Sequence, residues 1–448
     1  MANPSIVVIL DQSDSMRSLN YFLPAKTDAA TFINVMHVND RLGIVSYSDA
    51  ASIVYPSGGS SVTQLTSNSM IFQASQSVMP LVTINMTNMA AALSTARSLL
   101  SSAPGPHAMV FLSDGMFNVG GDPRPGLPSD IPIYTIALGP YGETAVMSDI
   151  ARLTGGTYQY SPDPVQLQRT YDAIAGPAQV ASLVLDEVAN ISQSQFHATV
   201  ATVGAGATIA DFLVSWGDWS ITYTPDTPVG QQVNVFVYDP NGQKVTAVPK
   251  AIGPGYAVLE ITEPMAGPYS LYAWYSGTGQ FVYTAGVLDN NLALSSDLEI
   301  AADQPEVGDQ LEFSVRLREN DEPIRGALLQ ASVEHPMVSV PEAAGTYGAL
   351  LDPVAGPADF QGEDAGAARF ASFAQQVGID RVLPRARTPV GMNETSPGVY
   401  AGALPVTHKP GAHTVRVEVR GHSRVGAGAF QRSSQSSIHV REATQGRK

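Results

Sequence analysis

Cysteine is absent from the 448-residue chain. That removes thiolate zinc sites, disulfide frameworks and thiol nucleophiles at once. It fixes no compartment, since cytosolic and cell-surface proteins both do without cysteine. Charge is also scarce: Asp, Glu, Lys and Arg make up 14% of the chain, against roughly 25% in ordinary soluble domains. Bases are the scarcer sign, with 24 Lys and Arg facing 40 Asp and Glu for a net charge of −16. Such a surface repels phosphate, so neither nucleic acid nor an anionic membrane is an expected partner. No apolar run approaches the roughly 20 residues that span a bilayer, and no membrane insertion by this chain is expected. Met1-Ala2-Asn3-Pro4 runs into an apolar stretch without a basic region, so the sequence as given shows no signal-peptide pattern. A trimmed leader would put the protein outside the cell or on its surface; otherwise a cytoplasmic place is expected. Phosphate-cradling G-x-x-x-x-G-K-[ST] and strand-borne G-x-G-x-x-G loops are missing as well, which leaves nucleotides without a seat.

What is present is apolar and rich in turns. Hydrophobic residues reach 44%, with 40 Gly and 32 Pro, short of the roughly 25–30% Gly plus Pro that marks low complexity. The length suggests about three domains. Over the first 177 residues, strand and helix signals alternate. Ser5–Leu10, Ala108–Leu112 and Ile131–Leu138 are continuous apolar runs, the mark of strands buried on both faces. Pro24–Val38 and Thr87–Leu100 carry apolar residues at helical spacing. Together they predict a doubly wound α/β domain with a parallel sheet.

Beyond Pro177 the period changes to two. Val233–Tyr238 and Lys244–Val248 flank Asp-Pro-Asn-Gly, and Tyr269–Tyr275 and Phe281–Val287 flank Ser-Gly-Thr-Gly. Both read as hairpins. Leu311–Leu317, Gly326–Val333, Val399–Leu404 and Thr414–Arg420 continue the alternation. Two β-sandwiches of immunoglobulin-like type are expected, at 178–290 and 291–448. Residues 341–393 form a long insertion in the second, with a short helix at Ala367–Gln376.

The chemistry is expected where the buried strands end. Asp11-Gln12-Ser13-Asp14-Ser15 follows the first strand and places two hydroxyls and a carboxylate at alternate positions of one loop. These are hard oxygen donors of the kind Mg²⁺ prefers. Alone, the run also reads as a helix N-cap. Thr87 ahead of a helix and Asp114-Gly115 at the end of another strand bring further oxygen donors to the same sheet edge.

Asp11-x-Ser13-x-Ser15, Thr87 and Asp114-Gly115 together resemble the metal-ion-dependent adhesion site of von Willebrand factor type A (VWA) domains, over about residues 3–176. The resemblance implies Ser13, Ser15 and Thr87 as hydroxyl ligands, with Asp11 and Asp114 holding the ion directly or through water. It implies Mg²⁺, or Mn²⁺ or Ca²⁺, as cofactor. The partner would be a protein presenting an Asp or Glu carboxylate, in non-enzymatic adhesion. The family often has Gly where this chain has Asp14. Asp49 is a further residue that would orient the site, or simply end a strand. A VWA domain followed by sandwiches is similar to bacterial surface proteins. More weakly, through Glu319–Ala327 and Ser396–Gly402, it is similar to the calcium-activated chloride channel regulators. Their metalloprotease activity does not carry over, because no H-E-x-x-H occurs here. The other class of function is an intracellular scaffold or client adaptor for a larger machine such as an ATPase.

His408, His413, His422 and His439 read as surface histidines rather than a ligand cluster. Trp216, Trp219, Tyr272, Trp274 and Tyr275 read as sandwich core and rim rather than a sugar platform. The triplets beginning at Asn85, Asn190 and Asn393 match the glycosylation pattern but carry no information by themselves.

Overall fold

The computed structural model describes residues 3–84, 86–114, 117–140, 145–192, 195–246, 249–301, 303–351, 354, 364–424 and 428–443. The first part runs β1 (Ser5–Asp11), α1 (Asp14–Ser18), α2 (Phe22–Asn34), β2 (Arg41–Tyr47), β3 (Ala51–Tyr55), β4 (Thr63–Gln64), α3 (Asn68–Gln76), α4 (Met89–Leu100) and β5 (His107–Ser113). It continues through β6 (Ile133–Leu138), α5 (Ala145–Thr154), β7 (Tyr158–Ser161) and α6 (Leu167–Ala175). Strands β2, β1, β5, β6 and β7 pair in parallel, and β3 and β4 join β2 antiparallel. The apolar run of β1 serves both faces. Ile6, Val8 and Leu10 pack with α2 and α6, while Val7 and Ile9 pack with α4 and α5. Helices α1 and α3 go beyond the elements that periodicity marks.

Next come β8 (Ser182–Ser192), β9 (Gln195–Val203), β10 (Ile209–Ser215), β11 (Thr222–Tyr223), β12 (Gln232–Tyr238), β13 (Pro249–Gly253), β14 (Tyr256–Thr262), β15 (Gly267–Tyr275) and β16 (Gln280–Asp289). They build two facing sheets, β13-β14-β10-β16-β8 and β11-β12-β15-β9. Of the two expected hairpins the first forms as a short one and the second is corrected. At the Asp-Pro-Asn-Gly turn the chain folds back antiparallel with Tyr238 beside Lys244, the Asp239 N–H donating to the Gln243 carbonyl and the Val245 N–H to the Val237 carbonyl (both 2.8 Å). The chain then crosses to β13, which pairs with β14; Ala247 and Val248 lie outside the described residues. Strands β15 and β16 belong to opposite sheets, so Ser276–Gly279 is an arch over the core. Period-2 alternation records which face a residue takes, and both strands alternate as well in an arch as in a hairpin.

The last part holds β17 (Leu294–Ile300), β18 (Leu311–Glu319), β19 (Glu322–Pro323), β20 (Leu328–Pro336), α7 (Val340–Leu351), α8 (Asp364–Val377) and α9 (Ile379–Val382). It ends with β21 (Arg385–Val390), β22 (Asn393–Ser396), β23 (Val399–Leu404), β24 (Gly411–His422) and β25 (Ala429–Val440). Val415, Val417 and Val419 face the core of this second sandwich, as their alternation with charged residues predicts. The stretch expected as an insertion contains α7, α8 and α9, gathered on a small core of their own around Phe370, Phe373 and Ile379.

The parts are fused rather than strung out. β25 lies beside β7, at the pair Ser437 and Tyr158, so the parallel sheet continues into β24, β20 and β21. Side chains reinforce that joint: Gln159 donates to the Gln435 carbonyl (2.8 Å), and the Gln435 amide donates back to Gln159 (3.0 Å). On the other side, α2 and α6 pack against the outer face of the first sandwich through Leu183, Leu213, Val258 and Leu288.

Of the four C-terminal histidines, His408 and His422 are exposed, His439 is half-buried and His413 leaves the surface altogether. His413 is fully buried, its Nδ1 meeting the Gly411 carbonyl and its Nε2 lacking a hydrogen-bond partner. Burial, with Arg385, His335 and His439 around it, drives its pKa down to about 3; His439 falls to about 4 for the same first reason. The folded pKa lies below the unfolded value of roughly 6.5, so the unfolded chain takes up the proton first and stability is lost as pH falls below that value. Lowering the pH from 7 to 5 should therefore destabilise the wild type relative to His413→Gln by up to about 1.4 kcal/mol per unit below 6.5. Urea midpoints of the two proteins at several pH values measure the divergence.

Candidate metal centre

β1 delivers Asp11 to the C-terminal edge of the parallel sheet, and its neighbours arrive with it. Tyr47 is the register partner of Asp11 on β2, and Ser113 ends β5 on the other side. Both donate to Asp11 Oδ2, Tyr47 at 3.0 Å and Ser113 at 2.7 Å, while the Ser13 N–H donates to Oδ1 at 2.9 Å. Burial pushes the Asp11 carboxyl up, and these hydrogen bonds pull it back. The carboxylate is thus held in one orientation.

Ser13 occupies the N-cap position of α1 in extended conformation, yet its side chain makes no capping hydrogen bond. Its Oγ lies 3.0 Å from Ser15 Oγ instead. A simple capping role does not account for that hydroxyl. Asp14 begins α1, partly exposed, and pairs with Arg17 at 3.4 Å.

Thr87 sits two residues before α4. The N-cap is Asn88, whose side chain accepts from the Ala91 N–H at 3.0 Å. Thr87 is anchored through its backbone, its N–H donating to Asn118 Oδ1 (2.8 Å) and its carbonyl accepting from the Asn118 N–H (3.1 Å). Its hydroxyl is buried with no hydrogen-bond partner. The Thr87 loop is tied to the Asp11 loop by Ile84 N–H on the Gln12 carbonyl, and to the β2 end by Asn88 N–H on the Ser48 carbonyl (both 2.7 Å). Asp49, exposed in that turn, accepts from the Asn88 amide through its carbonyl. Asp114 follows β5 directly, and its negative charge adds to the burial that raises the Tyr21 and Tyr47 hydroxyls. Gly115 and Asn85 lie outside the described residues.

Asp11, Ser13, Ser15, Thr87 and Asp114 therefore come from three loops at one sheet edge, each without accessible surface. Among the described residues no three His, Cys, Asp or Glu side chains gather as a metal site. A cation here would rest on hydroxyl oxygens plus two carboxylates, and the spare Thr87 hydroxyl fits that donor set. Tyr47, Ser113 and Asn118 are additions to the residues that motif spacing marks. Ser113 precedes Asp114 in sequence, and its position at a strand end beside β1 was the signal that it would meet Asp11.

The N-terminal part is thus a doubly wound α/β domain that carries hydroxyls and carboxylates at the ends of its strands. The model of the von Willebrand factor type A domain family matches residues 6–116, and the N-terminal part of this chain is such a domain. VWA domains typically serve interaction and adhesion rather than catalysis, and commonly bind a divalent metal. No curated protein sequence matches the chain. Among solved structures, it is similar to a von Willebrand factor type A protein from Catenulispora acidiphila, at 16% identity and TM-score 0.37, over 71% of this chain and 63% of that one. It thus spans less than two thirds of that protein. It is also similar to the vWF domain of the type V pili tip protein Mfa5 from Porphyromonas gingivalis (15% identity, TM-score 0.32, 39% of this chain and 95% of that one). A third is proximal thread matrix protein 1 from the mussel byssus with a zinc-occupied MIDAS motif (12% identity, TM-score 0.29, 43% of this chain and 50% of that one).

Proposed function

We propose that Ser13, Ser15 and Thr87, with Asp11 and Asp114 directly or through water, hold a divalent cation, Mg²⁺ or else Mn²⁺ or Ca²⁺. Through it the protein captures an Asp or Glu side chain of a partner protein. The observation that supports this reading is the buried, unpartnered Thr87 hydroxyl, at the same sheet edge as the Ser13 hydroxyl, which makes no capping hydrogen bond and meets Ser15 instead. Buried polar groups ordinarily have partners, and one that lacks a protein partner at a cluster of oxygen donors suits an ion. When bound, the ion supplies the electrostatic attraction for a carboxylate. The protein side chains do the rest: Tyr47 and Ser113 orient Asp11, Asn118 fixes the Thr87 backbone, and the surrounding loops select the partner. Because the donor side chains are buried, a ligand's carboxylate would meet the ion rather than these oxygens.

The reading is non-enzymatic, since none of the eight histidines lies in the motifs that would have to supply a general base. In the same proposal the chain divides at about 177 and 290, and the sandwiches carry the VWA domain as rigid supports. Titration calorimetry with Mg²⁺ and Mn²⁺ tests the site on the wild type and on Asp11→Ala with Ser13→Ala. Micromolar-to-millimolar binding is expected for the wild type, and its loss for the double variant. Equal affinity in the two proteins would place the ion elsewhere and sink the reading.

A further inference from the structure

Arginines gather where the second sandwich meets the VWA domain. In the sheet order β21-β20-β24, Ser332 of β20 is the register partner of Arg416 on β24, and Glu334 of β20 is that of Arg387 on β21. Alternate residues of a strand share a face, so Arg416, Ser332, Glu334, Arg387 and Arg385 stand on the side away from the core residues Val333, Val415 and Val417. The Arg387 Nε donates to the Ser332 hydroxyl at 2.8 Å, which carries its guanidinium across β20 toward Arg416. Arg416 donates through Nη2 to the Gln166 side-chain oxygen, just ahead of α6, at 3.3 Å. The charges of Arg387 and of Arg169 on α6 both act on it.

This patch holds a surplus of positive charge in a chain whose net charge is −16. Arg169 is ion-paired with Asp186, and Arg385 with Glu334 at 2.9 Å. Asp186 and Glu334 are the carboxylates whose charges support Arg416, and both are engaged with other arginines. Glu418 and Arg420 follow on the same face of β24 with opposite charges. Among the described residues Arg416 and Arg387 belong to no ion pair; their hydrogen bonds go to neutral oxygens. Arg416 is half-buried, and its Nε is enclosed without a hydrogen-bond partner. Burial first, and then the charge of Arg169, bring its pKa down to about 10, so it stays charged at neutral pH. A guanidinium drawn out of water without a carboxylate is costly, and a second arginine nearby makes it costlier. Arg387 is exposed, which leaves the patch open to solvent.

We infer that Arg416 and Arg387, with the Ser332 hydroxyl between them, bind a small tetrahedral oxyanion, phosphate or sulfate, at the seam of the VWA domain and the second sandwich. Two strand spacings of roughly 4.8 Å separate β24 from β21, a span that two arginine side chains close around one ion. The guanidinium fork matches phosphate and sulfate oxygens in pairs, and an ion of two charges answers two unpaired cations. The Ser332 hydroxyl can turn its proton to such an oxygen while still accepting from Arg387. The acidity of the whole chain opposes long polyanions but not a single ion at a local surplus, because exposed charges beyond roughly 8–10 Å are screened. None of these residues belongs to the strand-end loops, so the inference stands independently of the adhesion-site reading.

The test is calorimetric titration of the full chain with sodium phosphate and sodium sulfate, against sodium chloride of equal ionic strength. Chelator is present throughout, so that no metal ion can take the anion. One equivalent of phosphate or sulfate should bind, and the melting temperature should rise with its concentration by mass action. Arg387→Gln and Arg416→Met should each weaken binding about tenfold or more, the worth of a hydrogen bond to a charged group. Should Arg416→Met fail to fold, Arg387→Gln carries the comparison alone, because its side chain is exposed. O-phosphoserine is a further titrant. Tighter binding than that of inorganic phosphate assigns the site to a phosphate group on a partner, and binding no tighter assigns it to the free ion. The proposal is overturned if neither phosphate nor sulfate binds at roughly 10 mM, ten times a millimolar dissociation constant. Unchanged affinity in Arg387→Gln overturns it equally. The two arginines would then be cations satisfied by water at a domain seam.

Discussion

Asp289→Ala should destabilise the protein by about 3–5 kcal/mol, the cost of leaving a buried charge without its partner. Asp289 ends β16 in the first sandwich, and Arg432 lies on β25 in the second. Their side chains are 0% and 2% exposed and meet as a bidentate pair, Nη1 to Oδ2 at 2.9 Å and Nη2 to Oδ1 at 3.0 Å. Burial pushes the Asp289 carboxyl up, while Arg432 and the Asn291 N–H pull it down; the two-pronged geometry is that of an ionised pair. Arg432 has further acceptors in the carbonyls of Leu294 (3.1 Å) and Gln431 (3.0 Å), but these carry no countercharge. Truncating the aspartate strands a guanidinium inside the protein. Replacing both partners by apolar residues of similar volume, Asp289→Leu with Arg432→Met, should cost far less, because no charge is then left behind. Denaturant unfolding of the single and double variants measures the difference. A single variant as stable as the wild type would mean that water reaches Arg432 and that the sandwiches are not fused there.

Much of this architecture is readable from local pattern, and the reason is physical. A strand buried on both faces must be apolar throughout, so β1, β5 and β6 announce themselves. A site at strand ends needs polar residues directly after those runs, so Asp11, Ser13, Ser15 and Asp114 stand out in the same way. What stays hidden is the choice of partner. Alternation in β15 and β16 shows which side chains point inward, not that the two strands lie in opposite sheets. Nothing in Ser433–Val440 marks it as a neighbour of Tyr158–Ser161, nearly 280 residues earlier. That joint is made by glutamine and serine side chains, the residue types that look least distinctive in a sequence. The buried His413, and the carboxyl groups of Asp28 and Asp172, escape for a related reason: a polar residue is buried by whatever packs on it from afar. Asp172 even sits at the helical spacing of an exposed residue until the first sandwich covers α6.

Thr87→Val separates the ion-binding role of this residue from a structural one, because the two roles predict opposite orders of stability. Valine keeps the shape of threonine and removes the hydroxyl that has no hydrogen-bond partner. The backbone bonds to Asn118 that hold the loop do not involve the side chain and should survive. In chelator, therefore, the variant should be as stable as the wild type or more stable by about 1 kcal/mol, since an unsatisfied buried polar group is gone. In excess Mg²⁺ the order should reverse. The wild type gains about 2.7 kcal/mol at a free ion concentration of 100 times its dissociation constant, and a variant whose affinity has dropped tenfold or more gains about 1.4 kcal/mol less. Capture of a carboxylate-bearing partner should weaken in parallel, because the same ion carries it. If Thr87 were only a well-packed core residue, Mg²⁺ would move both proteins equally and the two melting curves would keep their order. Thermal melts of both proteins in chelator and in Mg²⁺ therefore decide whether the hydroxyl faces an ion, through the sign of a difference rather than its size.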